Sequence, residues 1–278
     1  MAILVPKSLK ELGFTSSEGV RPRLRRLMLS LFGPSDSGKT EFALSAPGLG
    51  AVVALDRGVE GCLANPNPPP WRNADNFLYR IVPAPLATQM NKEEYVEYWK
   101  RFYANYKTAL TTEEIRTVVL DGDSDSWEVQ RLAEFGRLTK VPPNLYDNVN
   151  AARRAMYARA YDSGKIFIAT NRVRKVYIDK LDAKGNPVIN DSGNIVRVWN
   201  GEYERQGFGD QDYLWQVHCR CYRDKDSGEF GLEITKCKMN KELEGYTLNG
   251  EDCNFQGLVQ TIFPDVPLKE WGQLKEWK

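Results

Sequence analysis

The chain has 278 residues, 42% hydrophobic and 27% charged, the balance of a soluble folded protein with one large domain or two modest ones. Its net charge of +1 excludes a globally basic nucleic-acid binder, so any such surface is local. The single histidine, His218, excludes a multi-histidine metal centre and reads as structural in an apolar strand. Five cysteines (Cys62, Cys219, Cys221, Cys237, Cys253) without C-x-x-C spacing read as reduced thiols of a cytoplasmic protein rather than a disulfide framework or zinc site. No apolar run approaches the roughly 20 residues that span a bilayer. The opening Met1–Val5 is too short for a signal peptide and is cut off by Pro6.

Residues 1–24 carry Pro6, Gly13, Gly19 and Pro22 and no hydrophobic period, so they read as an N-terminal arm. Arg21, Arg23, Arg25 and Arg26 form a basic cluster at its end, either a solvated edge or a binding surface. The apolar run Leu27–Phe32 then predicts a core strand. It leads into Gly33-Pro34-Ser35-Asp36-Ser37-Gly38-Lys39-Thr40, which fits the P-loop pattern G-x-x-x-x-G-K-[ST] at every fixed position. Glycines let such a loop curl so that consecutive backbone N–H groups face a phosphate. Lys39 is expected to reach the β- and γ-phosphates and Thr40 to ligate Mg²⁺. The N-terminus of a helix over 40–45 would add a favourable field.

Ala51–Leu55 is a second apolar run, ending in Asp56 with Gly58 and Glu60 beyond, where ligands bind in open α/β sheets. The proline-rich stretch 66–70 is a loop, and 78–82 a further short strand. Asn91 and Glu94 form a capping box, and Tyr95, Trp99, Phe102, Tyr106 and Leu110 recur at helical spacing as a core-facing aromatic stripe. Thr117–Asp121 is an apolar strand ending in a carboxylate, the Walker B arrangement that orients Mg²⁺. Asp123 and Asp125 follow and would either polarise water or cap the next helix with Ser124. Helices are expected over 124–138 and 145–161, then a buried strand over 165–170 that runs into Asn171, Arg172, Arg174 and Lys175. Residues 176–199 read as an inserted β-hairpin and 201–210 as a polar loop. Strands over 213–222 and 229–237, a helix near 255–263 and a tail from 266 with Trp271 and Trp277 complete the chain.

In this order the pieces resemble the RecA-like ATPases of bacteriophages, the group of small single-strand annealing and recombination proteins. The resemblance covers residues 25–265 and rests on the P-loop Gly33–Thr40, the strands ending at Asp56 and Asp121, and the Ala169-Thr170-Asn171-Arg172-Val173-Arg174 stretch. It implies an α/β fold: a RecA-like P-loop NTPase core whose mainly parallel sheet is flanked by helices, with the 165–170 strand between the P-loop and Walker B strands. An inserted hairpin and C-terminal antiparallel strands complete that expectation. The implied activity is that of an ATPase, with ATP cradled by Gly33, Pro34, Ser35, Asp36, Ser37, Gly38, Lys39 and Thr40, and Mg²⁺ on Thr40 and Asp121. Asn171 resembles the γ-phosphate-sensing amide, and Lys236-Cys237-Lys238 the Lys-x-Lys that reaches a neighbour's ATP. The family's water-polarising glutamate falls near Gly58, which leaves Glu60 or Asp123 for that role and implies slow hydrolysis. Single-stranded DNA would run past Arg172, Arg174 and Lys175. Ring or filament homo-oligomers, a single-strand binding protein as a further partner, no membrane, and the host cytoplasm as location follow from the same resemblance. Two other readings stay open: a nucleotide-gated assembly or regulatory ATPase that never touches DNA, and a P-loop kinase.

Overall fold

The computed structural model describes residues 26–85, 90–137 and 141–272, together with Lys7 and Glu11. Most of the N-terminal arm, the end of the helix expected to reach residue 138, and Trp277 lie outside the described residues. Among the described residues ten strands form: β1 Leu27–Phe32, β2 Gly50–Ala54, β3 Phe77–Ile81, β4 Thr117–Asp121, β5 Ile166–Asn171, β6 Val173–Asp179, β7 Arg197–Arg205, β8 Val217–Arg223, β9 Phe230–Cys237 and β10 Thr247–Asn249. The α-helices among the described residues of 26–272 are α1 Lys39–Ala43, α2 Gly58–Leu63, α3 Lys92–Thr111, α4 Asp123–Phe135, α5 Asp147–Asp162 and α6 Phe255–Ile262.

Eight strands form one sheet in the order β10-β9-β8-β1-β5-β4-β2-β3. The six from β8 to β3 run parallel, whereas β9 and β10 pair antiparallel at one edge. The result is a mixed α/β fold with helices on both faces of the sheet. β5 lies between β1 and β4, as expected, with Leu27 and Thr117 both opposite Ile166. Crossovers of this kind bury both faces, which is why β1, β4 and β5 are uninterrupted runs of buried residues.

Alternation along these strands divides the core. Leu27, Leu29 and Leu31 of β1 face Phe42 of α1, Val59 of α2 and Phe255, Leu258 and Val259 of α6. Met28, Phe167 and Val118 face the opposite way, onto Phe102 and Tyr106 of α3 and Met156 and Tyr157 of α5. The aromatic stripe of α3 is therefore core: Tyr106 meets Phe167 edge-on at 5.8 Å, and Phe167 stacks on Trp215 at 5.5 Å. Asn91 caps α3 with the expected box, accepting from the Glu94 N–H at 2.9 Å. Trp271 is buried against Phe255 and Phe263, and its carbonyl accepts from Arg116, so packing continues past residue 266. Arg26 of the basic cluster stacks over Tyr161 at 3.8 Å.

β6 and β7 form a separate two-stranded sheet. The expectation of a loop over 201–210 is corrected in its first half: β7 continues to Arg205 because Glu204 and Arg205 pair with Arg174 and Val173. Gly201, at φ +93°, sits in a bulge between the Lys175–Tyr203 and Tyr177–Trp199 pairs, which gives the strand a turn-like signature there. The hairpin ends in two turns that repeat each other. Asp182 accepts from the N–H groups of Lys184 and Asn186, and Asn190 does the same for Ser192 and Asn194.

Candidate nucleotide-binding site

The site lies at the C-terminal ends of β1, β4 and β5, where a loop leaving a buried parallel strand is free to face solvent. After Phe32 the chain curls through Gly33–Gly38 and enters α1, a helix of only five residues. Two glycines are required by geometry. A Cβ on Gly33 would stand 2.2 Å from the Cys221 carbonyl oxygen, and one on Gly38, at φ +84°, would stand 2.7 Å from the Phe230 ring. Asp36 also adopts a left-handed conformation, at φ +59°. The loop borders a cleft of about 790 Å³.

Lys39 folds back over the loop, its ammonium donating to the carbonyls of Gly33 at 3.0 Å and Pro34 at 2.5 Å. Burial lowers its pKa, against the raising effect of Cys221, Asp121 and Asp56. Across the cleft, Asp121 is buried at the end of β4. Thr40 donates to it at 3.2 Å and Thr170 at 2.6 Å, while the Thr170 hydroxyl accepts from the Gly122 N–H at 2.9 Å. Burial, reinforced by Asp56, pushes the Asp121 carboxyl up to about 6, against the hydrogen bonds from Thr170 and Thr40 and the charge of Lys39. A hydroxyl and a carboxylate this close form a hard-oxygen pair of the kind that Mg²⁺ takes alongside nucleotide phosphates. The donor set therefore fits Mg²⁺, which Thr40 and Asp121 would hold together with phosphate oxygens and water.

No family model matches the chain, and none of the curated proteins is similar to it in sequence. Among solved structures it is similar to the crystal structure of the RadB recombinase, at 16% identity over 87% of this chain and 92% of that one, with a TM-score of 0.43. A likeness that distant says nothing of this chain's chemistry.

The structure brings together Gly33–Thr40, Asp121, Asn171 and Arg172 at one cleft. Asn171 is buried, and its amide donates to Ser30 at 3.1 Å. Its Oδ1 has no hydrogen-bond partner among the described residues. Arg172 borders the cleft and pairs with Asp125 at 2.8 Å. Burial pushes the Asp125 carboxyl up to about 6, against the charge of Arg172.

Other expected residues stand elsewhere. Asp123 is held inside the protein: its carboxylate accepts from Arg153 at 2.5 Å and from the Tyr157 hydroxyl at 2.8 Å. Both oxygens are committed to the fold, so the expectation that Asp123 polarises water is corrected. Glu60 is exposed on α2 and does not border the cleft, whereas Asp56 does. α2 begins at Gly58 and carries Glu60 on its exposed side, whereas Asp56, just after β2, borders the cleft together with Asp36, Glu41 and Asp121. The Asp56 Oδ1 accepts from the Gly58 N–H at 2.8 Å. Lys236 and Lys238 lie toward the far end of β9: Phe32, next to the P-loop, pairs with Arg220, whereas Lys236 pairs with His218. Lys238 donates to the Tyr213 carbonyl at 2.5 Å. Arg174 pairs with Glu204 at 2.6 Å, and Lys175 sits 4.9 Å over the Trp199 ring.

Proposed function

We propose that the chain is a RecA-like ATPase that binds ATP with Mg²⁺ in this cleft and single-stranded DNA on the β6–β7 hairpin, and that it serves strand annealing or recombination. The observation that carries the nucleotide reading is the meeting of Lys39, Thr40, Asp121 and Thr170 around one curled loop. Mg²⁺ would sit on Thr40 and Asp121 and neutralise phosphate charge. Lys39 would leave the Gly33 and Pro34 carbonyls for the β- and γ-phosphates. Asp56, rather than Glu60 or Asp123, is the carboxylate available to orient a water at the phosphate end.

Support for DNA comes from the hairpin, which continues from β5 one residue beyond Asn171. It exposes Tyr177, Trp199 and Tyr203, flat side chains on which bases stack. Its six basic side chains face five acidic ones over residues 173–205. Arg174–Glu204 and Arg197–Asp179 are cross-strand ion pairs. Stacking would therefore carry more of the binding than phosphate contacts, with a salt dependence correspondingly shallow. The same neutralised charges favour a second reading, in which the hairpin's apolar side chains Ile178, Leu181 and Ile189 meet protein and nucleotide gates assembly without DNA.

The test is calorimetry with ATP-Mg²⁺ beside anisotropy of a fluorescent single-stranded oligonucleotide. Lys39→Ala is expected to abolish nucleotide binding. Trp199→Ala, and Arg174→Ala with Lys175→Ala, are expected to spare it and to weaken DNA binding, the tryptophan change by about tenfold. Unchanged DNA affinity in both hairpin variants would favour the assembly reading.

A further inference from the structure

We propose that Arg223, whose guanidinium lies over Phe230, binds the base of the nucleotide. The inference rests on the P-loop reading above and assigns the end of the ligand that the P-loop leaves open. Three cations border the cleft, and they differ in how they are held. Lys39 belongs to the phosphate loop, and Arg172 is tied to Asp125. Arg223 has no carboxylate partner among the described residues. Its neighbour on β8, Arg220, pairs with Glu233 at 3.3 Å. Arg223 instead faces Phe230 directly across the β8–β9 ladder, with its guanidinium 5.4 Å from the ring centroid. Its Nε donates to the Gly228 carbonyl at 2.7 Å, which fixes the head. Phe230 in turn packs against Gly38, so closely that a Cβ there would meet the ring at 2.7 Å. The platform is thus built into the wall of the P-loop, although the two residues are far from it in sequence.

Topology gives the direction of the ligand. Thr40, Asp121 and Thr170 mark the metal and hence the β–γ end, and β5 and β4 lie on one side of β1. β8 and β9 lie on the other side of β1, so a nucleotide whose terminal phosphates face Asp121 extends its nucleoside toward Arg223 and Phe230. A planar guanidinium already oriented on an aromatic ring offers a flat, cationic surface to a π-system at small entropic cost. A lysine would carry the charge without the plane.

The experiment is calorimetric titration of the full chain with ATP-Mg²⁺ and, separately, with inorganic tripolyphosphate-Mg²⁺, for wild type, Arg223→Ala and Arg223→Lys. Both variants are expected to bind ATP about tenfold more weakly than wild type and to bind tripolyphosphate unchanged. Equal losses for ATP and tripolyphosphate in Arg223→Ala, with rescue by Arg223→Lys, would make Arg223 a phosphate ligand and overturn the proposal. Wild-type affinity for ATP in both variants would overturn it while leaving the P-loop reading intact. Failure of the wild-type chain to bind either ligand would overturn both.

Discussion

Asp121 is a buried carboxylate near a lysine that is occupied with the loop's own carbonyls, and that arrangement sets a pH dependence. Its carboxyl lies above the ordinary range, at about 6, because burial disfavours the ionised form. A group raised in this way favours the folded, nucleotide-free chain when protonated, and that contribution is lost as pH climbs from about 4 through about 6. Mg²⁺ requires the ionised form. Affinity for ATP-Mg²⁺ is therefore expected to fall as pH drops from 7 to 5, and Asp121→Asn should both weaken binding and flatten the pH profile. A profile in the wild type that is flat over this interval would contradict the metal-site assignment. Asp123 makes the opposite case two residues away. It forms a fully buried pair with Arg153, so Asp123→Ala leaves a guanidinium uncompensated in the core and should cost about 3–5 kcal/mol in chemical denaturation. At temperatures where that variant stays folded, nucleotide affinity should match wild type; a loss of affinity without a loss of stability would restore a role at the site.

At the scale of elements, the hairpin is built as a unit apart from the main sheet. Backbone bonds from Lys180 to Val196, Val188 to Lys180 and Val196 to Val188 knit its tip without help from the sheet. Replacing residues 181–195 by a two-residue Asn-Gly turn is therefore expected to change stability by no more than about 1 kcal/mol and to leave ATP affinity unchanged. Single-stranded DNA binding should weaken if the tip takes part, which anisotropy reads directly. The hairpin also explains what the sequence could convey. Elements specified by their own residues were legible: the capping box of α3, the apolar runs of β1, β4 and β5, and the P-loop spacing. The last half of β7 was not, because Gly201 and its polar neighbours look like a loop until the partner strand is in place. Asp123 misled for the same reason, since nothing near it announces Arg153, thirty residues on. Arg223 and Phe230 carry no motif. Their pairing, and the packing of Phe230 on Gly38, depend on strand register and sheet order, which are properties of the folded chain.

For the whole molecule, the sheet keeps the ends of β1, β4 and β5 together at the P-loop cleft, while Lys236 of β9 and Lys238 just beyond it lie away from that cleft. If those lysines reach ATP, they reach that of a neighbouring copy, as the resemblance to RecA-like ATPases implies. Sedimentation velocity should then show a larger species with ATP-Mg²⁺ than without, and Lys236→Ala with Lys238→Ala should remove it while the protein still binds nucleotide. A direct linkage joins the cleft to the hairpin base. The Ser124 hydroxyl, three residues after Asp121, accepts from the Arg172 N–H at 3.0 Å and donates to the Gln206 carbonyl at 2.7 Å. Nucleotide at Asp121 would thus be felt at both ends of the hairpin. The most direct measurement of the account is anisotropy of a fluorescent single-stranded oligonucleotide at fixed salt with ATP-Mg²⁺, ADP-Mg²⁺ and no nucleotide, for wild type and Lys39→Ala. Wild type is expected to bind tightly with ATP-Mg²⁺ alone and weakly in every other arm. Absence of binding by wild type in all three states at low salt would contradict the DNA reading.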